Sequence, residues 1–161
     1  WPETSERLDR EKLTYTDYIR QAATFWTRPL WEAAGPLDIS LHYAFDWEWF
    51  IRASKVGQFE YVPKFFALYR KHAEQKTGTG KGKRRAEIRE VVRRYADDYW
   101  ISLYEMVEHV YPAVRSRVRK LQRMPVSMRK KLWFLRFSHP RIAKHLKRFE
   151  DVVTVLDMYE G

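Results

Sequence analysis

The chain has no cysteine among its 161 residues. That excludes a disulfide framework and a thiolate metal site, and it fits a reducing compartment. No apolar run approaches the ~20 residues that a bilayer span requires. Glycine is scarce: there are six, and three of them fall in Thr77-Gly78-Thr79-Gly80-Lys81-Gly82-Lys83. This stretch lacks the spacing of a Walker loop and has no strand just before it, so it reads as a solvated linker and not as a phosphate cradle. Acidic residues are absent from 109–149, where 13 Lys/Arg stand. The first residues, Trp1-Pro2-Glu3-Thr4, are neither an initiator Met nor a signal peptide, so we expect a piece of a longer polypeptide.

Enough is present for one ordinary domain with a real core. The content is 45% hydrophobic and 16% aromatic, which argues against disorder despite 32% charged residues. The net charge of +10 is unevenly spread. Residues 1–80 hold 11 basic and 11 acidic groups, whereas 81–149 hold 20 and 6. Such asymmetry usually reports on a partner. With the linker it divides the chain into residues 1–80 and a basic helical extension, 81–161.

Before the linker the elements read as short and mixed. Residues 22–26 form a β-rich run, and Pro29 opens a short helix that Gly35-Pro36 ends. Residues 46–56 read as a helix with Trp49, Phe50, Ala53 and Val56 on one side, and Gly57 stops it. Segments 59–62 and 65–69 read as strands broken by Pro63. After the linker the pattern is helical. Apolar positions from Ile88 to Val110 recur over six turns, Pro112 opens a second helix, Pro125 and Ser127 introduce a third, and Pro140 starts a fourth. In the last, Ile142, Leu146, Phe149, Val153 and Leu156 form a stripe fit to pack on a neighbouring helix or on a second copy of the chain. The expected class is α+β with a mainly helical C-terminal extension.

Two clusters carry chemistry. Phe45-Asp46-Trp47-Glu48-Trp49-Phe50 sets two carboxylates among aromatic rings at a helix start. One reading is a capped helix whose aromatics are core. The other is a general base, Asp46, in a partly apolar pocket. The second cluster is Tyr69-Arg70-Lys71-His72, followed by Lys76. Arg and Lys suit a diphosphate, and His ligates divalent metals. The bland alternative for His72 is a surface or capping residue.

Taken in order, the pieces match a known pattern: Gln21-Ala22-Ala23-Thr24-Phe25-Trp26, Arg28, Gly35-Pro36-Leu37-Asp38, Tyr43-Ala44-Phe45-Asp46-Trp47-Glu48-Trp49, Tyr61-Val62-Pro63 and Tyr69-Arg70-Lys71-His72-Ala73-Glu74-Gln75-Lys76. Residues 15–80 resemble the acceptor-side, C-terminal half of family-2, GT-A-fold glycosyltransferases. The resemblance implies inverting transfer of a sugar from a nucleotide-sugar to an acceptor hydroxyl, on a glycan or a lipid-linked glycan. It implies Asp46 as base, with Glu48 as its backup or as a group orienting the acceptor. Arg70 and Lys76 would bind the donor diphosphate, and His72 would lie near its Mg²⁺ or Mn²⁺. Trp26, Trp47 and Trp49 would stack on acceptor sugars, or else serve as core. The family's donor half ends in Asp-x-Asp, which this chain lacks throughout. We therefore expect this piece to bind no metal and to transfer no sugar by itself.

The basic extension, with Arg115, Arg119, Arg123, Lys130 and Lys131 foremost, admits three readings. These are a solvated face, an anionic membrane surface, or a polyanion such as nucleic acid. No nucleic-acid-binding signature accompanies the charge, which ranks that reading last. The rival to a transferase is a non-catalytic helical module docking a membrane or polyanion. A cytoplasmic location is expected in either case, peripheral at the inner membrane face where the membrane reading holds.

Overall fold

The computed structural model describes residues 6–68 and 80–160. Among them are eight α-helices, one 3-10 turn and no β-strand. The α+β expectation is thereby corrected to an all-helical fold. The physical reason is hydrogen-bond partnership, because a strand exists only where its backbone N–H and C=O groups meet a ladder. Thr24 and Thr27 do hold extended dihedrals (φ −112°, ψ 132° and φ −85°, ψ 154°), as the β-rich composition favours. No described segment pairs with them. Residues 59–68 likewise carry no ladder, and at Pro63 the chain turns as Lys64 N–H donates to Val62 O at 2.8 Å. Phe25 and Phe66 meet edge to face at 5.7 Å, a contact between side chains alone.

The chain divides into two compact units, Trp1–Ala96 and Asp97–Gly161. The first holds α1 (Arg10–Leu13), a 3-10 turn (Gln21–Ala23), α2 (Arg28–Ala34), α3 (Phe45–Val56) and α4 (Lys81–Tyr95). Asp9 caps α1 by accepting from Lys12 N–H. Pro29 lies in the first turn of α2, and Gly35 ends that helix at φ 77°, a left-handed conformation that glycine tolerates without steric cost. Helix α3 is the centre of the unit. It buries Trp47, Trp49, Phe50, Ile51 and Ala53, packs on α2, and receives α1 along its length.

Two contacts give α1 its direction. The Arg10 guanidinium donates to Ser54 O (2.7 Å) and Gly57 O (3.2 Å) at the end of α3. Nearer the start of α3, the Trp47 indole N–H donates to Leu13 O at 2.7 Å. The segment 10–13 therefore runs antiparallel to α3 and carries the chain after Leu13 toward the N-terminal end of that helix.

The six-turn helix expected over 88–110 is two helices. Ala96 is extended, and the Asp97 carboxylate accepts from Trp100 N–H at 3.0 Å to start a new one. An N-cap of this kind satisfies a backbone donor that a continuous helix would have used internally. The apolar period runs on through the break because both helices bury one face each.

The second unit contains α5 (Asp98–Gln122), α6 (Met128–Ser138), α7 (Pro140–Ala143) and α8 (Phe149–Glu160). Helix α5 departs from helical dihedrals at Val110 (φ −122°, ψ 15°), two residues before Pro112. The proline ring has no N–H and crowds the preceding turn, which accounts for the kink. Ser127 caps α6, as its place before the helix predicts. The stripe expected on one last helix is shared between two: Ile142 lies on α7, and Phe149 and Leu156 on α8, with Leu146 between them. All four are buried, and α8 packs on α5 and α6.

One glycine in the first unit is required by close approach. A Cβ on Gly80 would collide with the ring of Tyr43. Gly80→Ala should therefore lower stability by about 1–3 kcal/mol, the usual cost of overpacking a tight site. Urea denaturation read by tryptophan fluorescence checks this, and an unchanged midpoint would show that the ring does not pack there.

Candidate functional site

The N-terminal end of α3 gathers most of the unit's charged chemistry. Its N-cap is Ala44, which has no side chain able to cap. The backbone donors of the turn leading into α3 are taken by a remote group. Glu87 of α4 accepts from His42 N–H (2.9 Å), Tyr43 N–H (2.6 Å) and Ala44 N–H (3.2 Å) through one carboxylate oxygen. Asp46 is the second residue of α3, past the N-cap. It sits in the first turn, half-buried, with one oxygen accepting from Trp47 N–H at 2.9 Å.

Asp17, delivered by the antiparallel run of 10–13, stands close enough to Asp46 for their charges to interact. Burial, and then the Asp46 charge, push the Asp17 carboxyl up to about 7, while Arg20 and Arg84 pull it the other way. Two carboxyls in one low-dielectric place resist holding two charges. Near neutral pH, Asp17 therefore holds a proton for much of the time. The Asp17 carboxyl thus stands beside Asp46, with the Arg20 and Arg84 guanidinium groups near enough to act on it.

Glu48 has a different environment. It is 2% exposed. Arg52 clasps it with Nε at 2.8 and 3.1 Å and a terminal nitrogen at 2.9 Å, and the Tyr95 hydroxyl donates to it at 2.6 Å. Burial and the Glu48 carboxylate push that hydroxyl up to about 12. Arg52 also donates to Ala34 O and to Pro36 O, which ties the end of α2 to α3. These contacts give Glu48 a structural task in joining α2, α3 and α4.

The tryptophans separate in the same way. Trp47 and Trp49 are 1% and 2% exposed, and their indole N–H groups are spent on Leu13 O and Gly35 O. Trp26 is 43% exposed, stacks on Trp31 at 6.4 Å, and borders an open groove with Leu30, Val56 and Gln58. Trp26 also packs on Trp49 at 5.1 Å and on Phe50 at 6.4 Å, and it is the one tryptophan of the three that offers a face.

Asp38, from the Gly-x-Leu-Asp stretch, is a loop anchor. It accepts from Ser40 N–H (2.9 Å) and Ser40 Oγ (2.6 Å), and it pairs with Arg94 at 2.6 Å. Those partners, Ser40 first and then Arg94, hold its carboxyl down at about 2.

Arg70, His72 and Lys76 lie outside the described residues. Among the described residues, no three His, Asp or Glu side chains converge as a divalent cation needs.

In the second unit the basic residues differ in availability. Arg115 donates to Glu160 at 2.7 Å, and Arg119 reaches Asp157 and Glu160 at 2.7 Å each. The Glu160 carboxyl is lowered because these two guanidinium groups outweigh the upward push of its burial. Lys131 is buried and donates to Gln122 O at 2.9 Å. Arg123 and Lys130 remain exposed, with no acidic partner among the described residues. Among those residues, no helix is long and apolar enough to cross a membrane.

No family model, curated protein or solved structure matches this chain. Asp17, Arg84 and Glu87 were not singled out from sequence. Asp17 stands in a segment without periodicity, and Glu87 sits on the polar side of a helix, so neither carries a local signal.

Proposed function

We propose that residues 15–80 are the acceptor-side half of an inverting glycosyltransferase, with Asp46 as the base that deprotonates an acceptor hydroxyl. The observation that carries this reading is the state of Asp46. It is half-buried in the first turn of α3 with one oxygen accepting from Trp47 N–H, and the Asp17 carboxyl, pushed up to about 7 partly by the Asp46 charge, stands near it. A general base needs to be ionised, positioned and partly desolvated. In the step itself, one Asp46 oxygen would take the hydroxyl proton as the acceptor oxygen attacks the anomeric carbon. The nucleoside diphosphate would leave with the bonding pair. Glu48 is left out of this chemistry, since its oxygens are committed to Arg52 and Tyr95.

The donor half would come from sequence beyond these residues, consistent with the lack of any Asp-x-Asp. Phe25 and Phe65 are each 76% exposed, and Ile39 and Leu68 nearly fully so. A divalent cation would then be held mainly by that other half. A cytoplasmic location goes with this reading and with the absence of cysteine.

The test is Asp46→Asn in the full-length polypeptide. Transfer should fall by about 10²–10⁴-fold, the range for a general base, while nucleotide-sugar binding stays close to that of the parent. Unchanged turnover would remove Asp46 from the mechanism.

A further inference from the structure

The second unit leaves three large apolar side chains exposed, two of them, Trp133 and Phe137, on one face of α6 and the third, Met128, at its first turn. Met128, Trp133 and Phe137 are 46%, 53% and 71% exposed, and all three lie on α6. Among the described residues of this unit no other large apolar side chain is so exposed. At 100° per residue, Trp133 stands in the middle of the outward side of α6, with Arg129 and Arg136 on one flank and Lys130 and Phe137 on the other. The opposite side, with Lys131 and Leu135, is buried within the unit.

The charge on this face is free. Arg129, Lys130 and Arg136 have no acidic partner among the described residues, in contrast to Arg115 and Arg119, which α8 neutralises. No Asp or Glu occurs anywhere between 109 and 149. The face therefore combines a central aromatic pair with unpaired cations beside it, and it complements an anionic surface that is also apolar just below its charge.

We propose that α6 docks this protein on an anionic lipid surface, lying flat with Trp133 and Phe137 at the headgroup–acyl boundary and its cations among the headgroups. The helix has 11 residues, about 16 Å by its rise, which suits an interfacial position and not a span. Tryptophan favours this boundary, and arginine and lysine stems extend along it to reach phosphate. A nucleic-acid strand is the poorer fit. Trp133 meets Phe137 at 4.4 Å and 66°, and Phe134 at 5.1 Å and 74°, so the rings pack edge to face on one another. Base stacking needs open, flat ring faces.

The test is co-sedimentation of the full chain with phosphatidylcholine vesicles and with vesicles one third phosphatidylglycerol. Binding is expected to the anionic vesicles only. Trp133→Gln with Phe137→Gln, and separately Arg129→Glu with Arg136→Glu, should each weaken it about tenfold or more. All four positions are exposed, and circular dichroism should show unchanged helicity in both doubles. The proposal fails if the anionic vesicles leave the protein in solution, or if both doubles sediment like the parent. It also fails if the chain binds a labelled single-stranded RNA while ignoring the vesicles.

Discussion

Arg52→Ala should unfold the first unit far more readily than any surface substitution, at a cost of about 3–5 kcal/mol. The loss is large because Arg52 is the cation that clasps the buried Glu48, whose side chain is 3% exposed against 26% for Arg52. Removing it leaves a carboxylate in a poorly solvated place, with the Tyr95 hydroxyl still donating to it. Two backbone acceptors, Ala34 O and Pro36 O, lose their donor in the same step. Replacing both members by uncharged residues of similar length, Glu48→Gln with Arg52→Met, should cost clearly less than the two single changes summed, since no buried charge then stands alone. Urea denaturation of the parent, Arg52→Ala, the two single variants and the double, followed by fluorescence of the α3 tryptophans, gives the comparison. A near-parental midpoint for Arg52→Ala would show that the cluster contributes little.

The first unit should lose stability as pH rises from about 4 to about 7, and Asp17→Asn should abolish that part of the dependence. Folding raises the Asp17 carboxyl from 3.8 to about 7. Between those values the folded chain keeps a proton that the unfolded chain has released. Stability therefore falls with rising pH through this window, in the direction linkage requires when the native state binds more protons. Below the window both states are protonated and the penalty vanishes, and above it the penalty is complete. A shift of this size corresponds to at most about 4 kcal/mol. Asn mimics the protonated carboxyl, so the variant should exceed the parent in stability at pH 7.5 and match it near pH 4. The difference between the two proteins at each pH isolates Asp17 from the other titrating groups. Parallel stability curves for parent and variant would refute the assignment. Asp46→Asn provides a second check: with the neighbouring charge gone, the Asp17 window should move to lower pH.

Several elements of this fold are visible in local sequence, and the reasons are local. Pro29, Gly35-Pro36 and Gly57 bound α2 and α3 because each acts on the backbone within one turn. Ser127 marks the start of α6 in the same way, and the kink before Pro112 follows from a missing donor. The strands expected at 22–26 and 59–69 illustrate the opposite case. Their β-rich composition favours extended backbone, and extended backbone is found at Thr24 and Thr27. A strand also needs a partner edge, and no local property of a segment supplies one.

The candidate site divides along the same line. The cluster Asp46-Trp47-Glu48-Trp49 draws notice in the sequence because acid and aromatic groups alternate at a helix start. Burial then separates the members. Trp47 and Trp49 turn inward and spend their N–H groups on backbone carbonyls, and Glu48 is held by Arg52 and Tyr95. Asp46 alone keeps a half-open position.

By itself, then, the sequence determined the ends of α2 and α3, the start of α6, the cysteine-free chemistry, the acid-free basic tract and the choice of Asp46 as the residue to follow. Only the tertiary structure decided that the chain is all-helical where it is described, that Asp17 shares the Asp46 environment, and that Glu87 holds the turn before α3 from 43–45 residues away. It also decided which cations are free, since the acids of α8 neutralise Arg115 and Arg119 but not the outward face of α6. The physical reason is range. Propensity and capping act within a few residues, whereas charge pairing, desolvation and backbone pairing depend on which distant segments the packed core brings together.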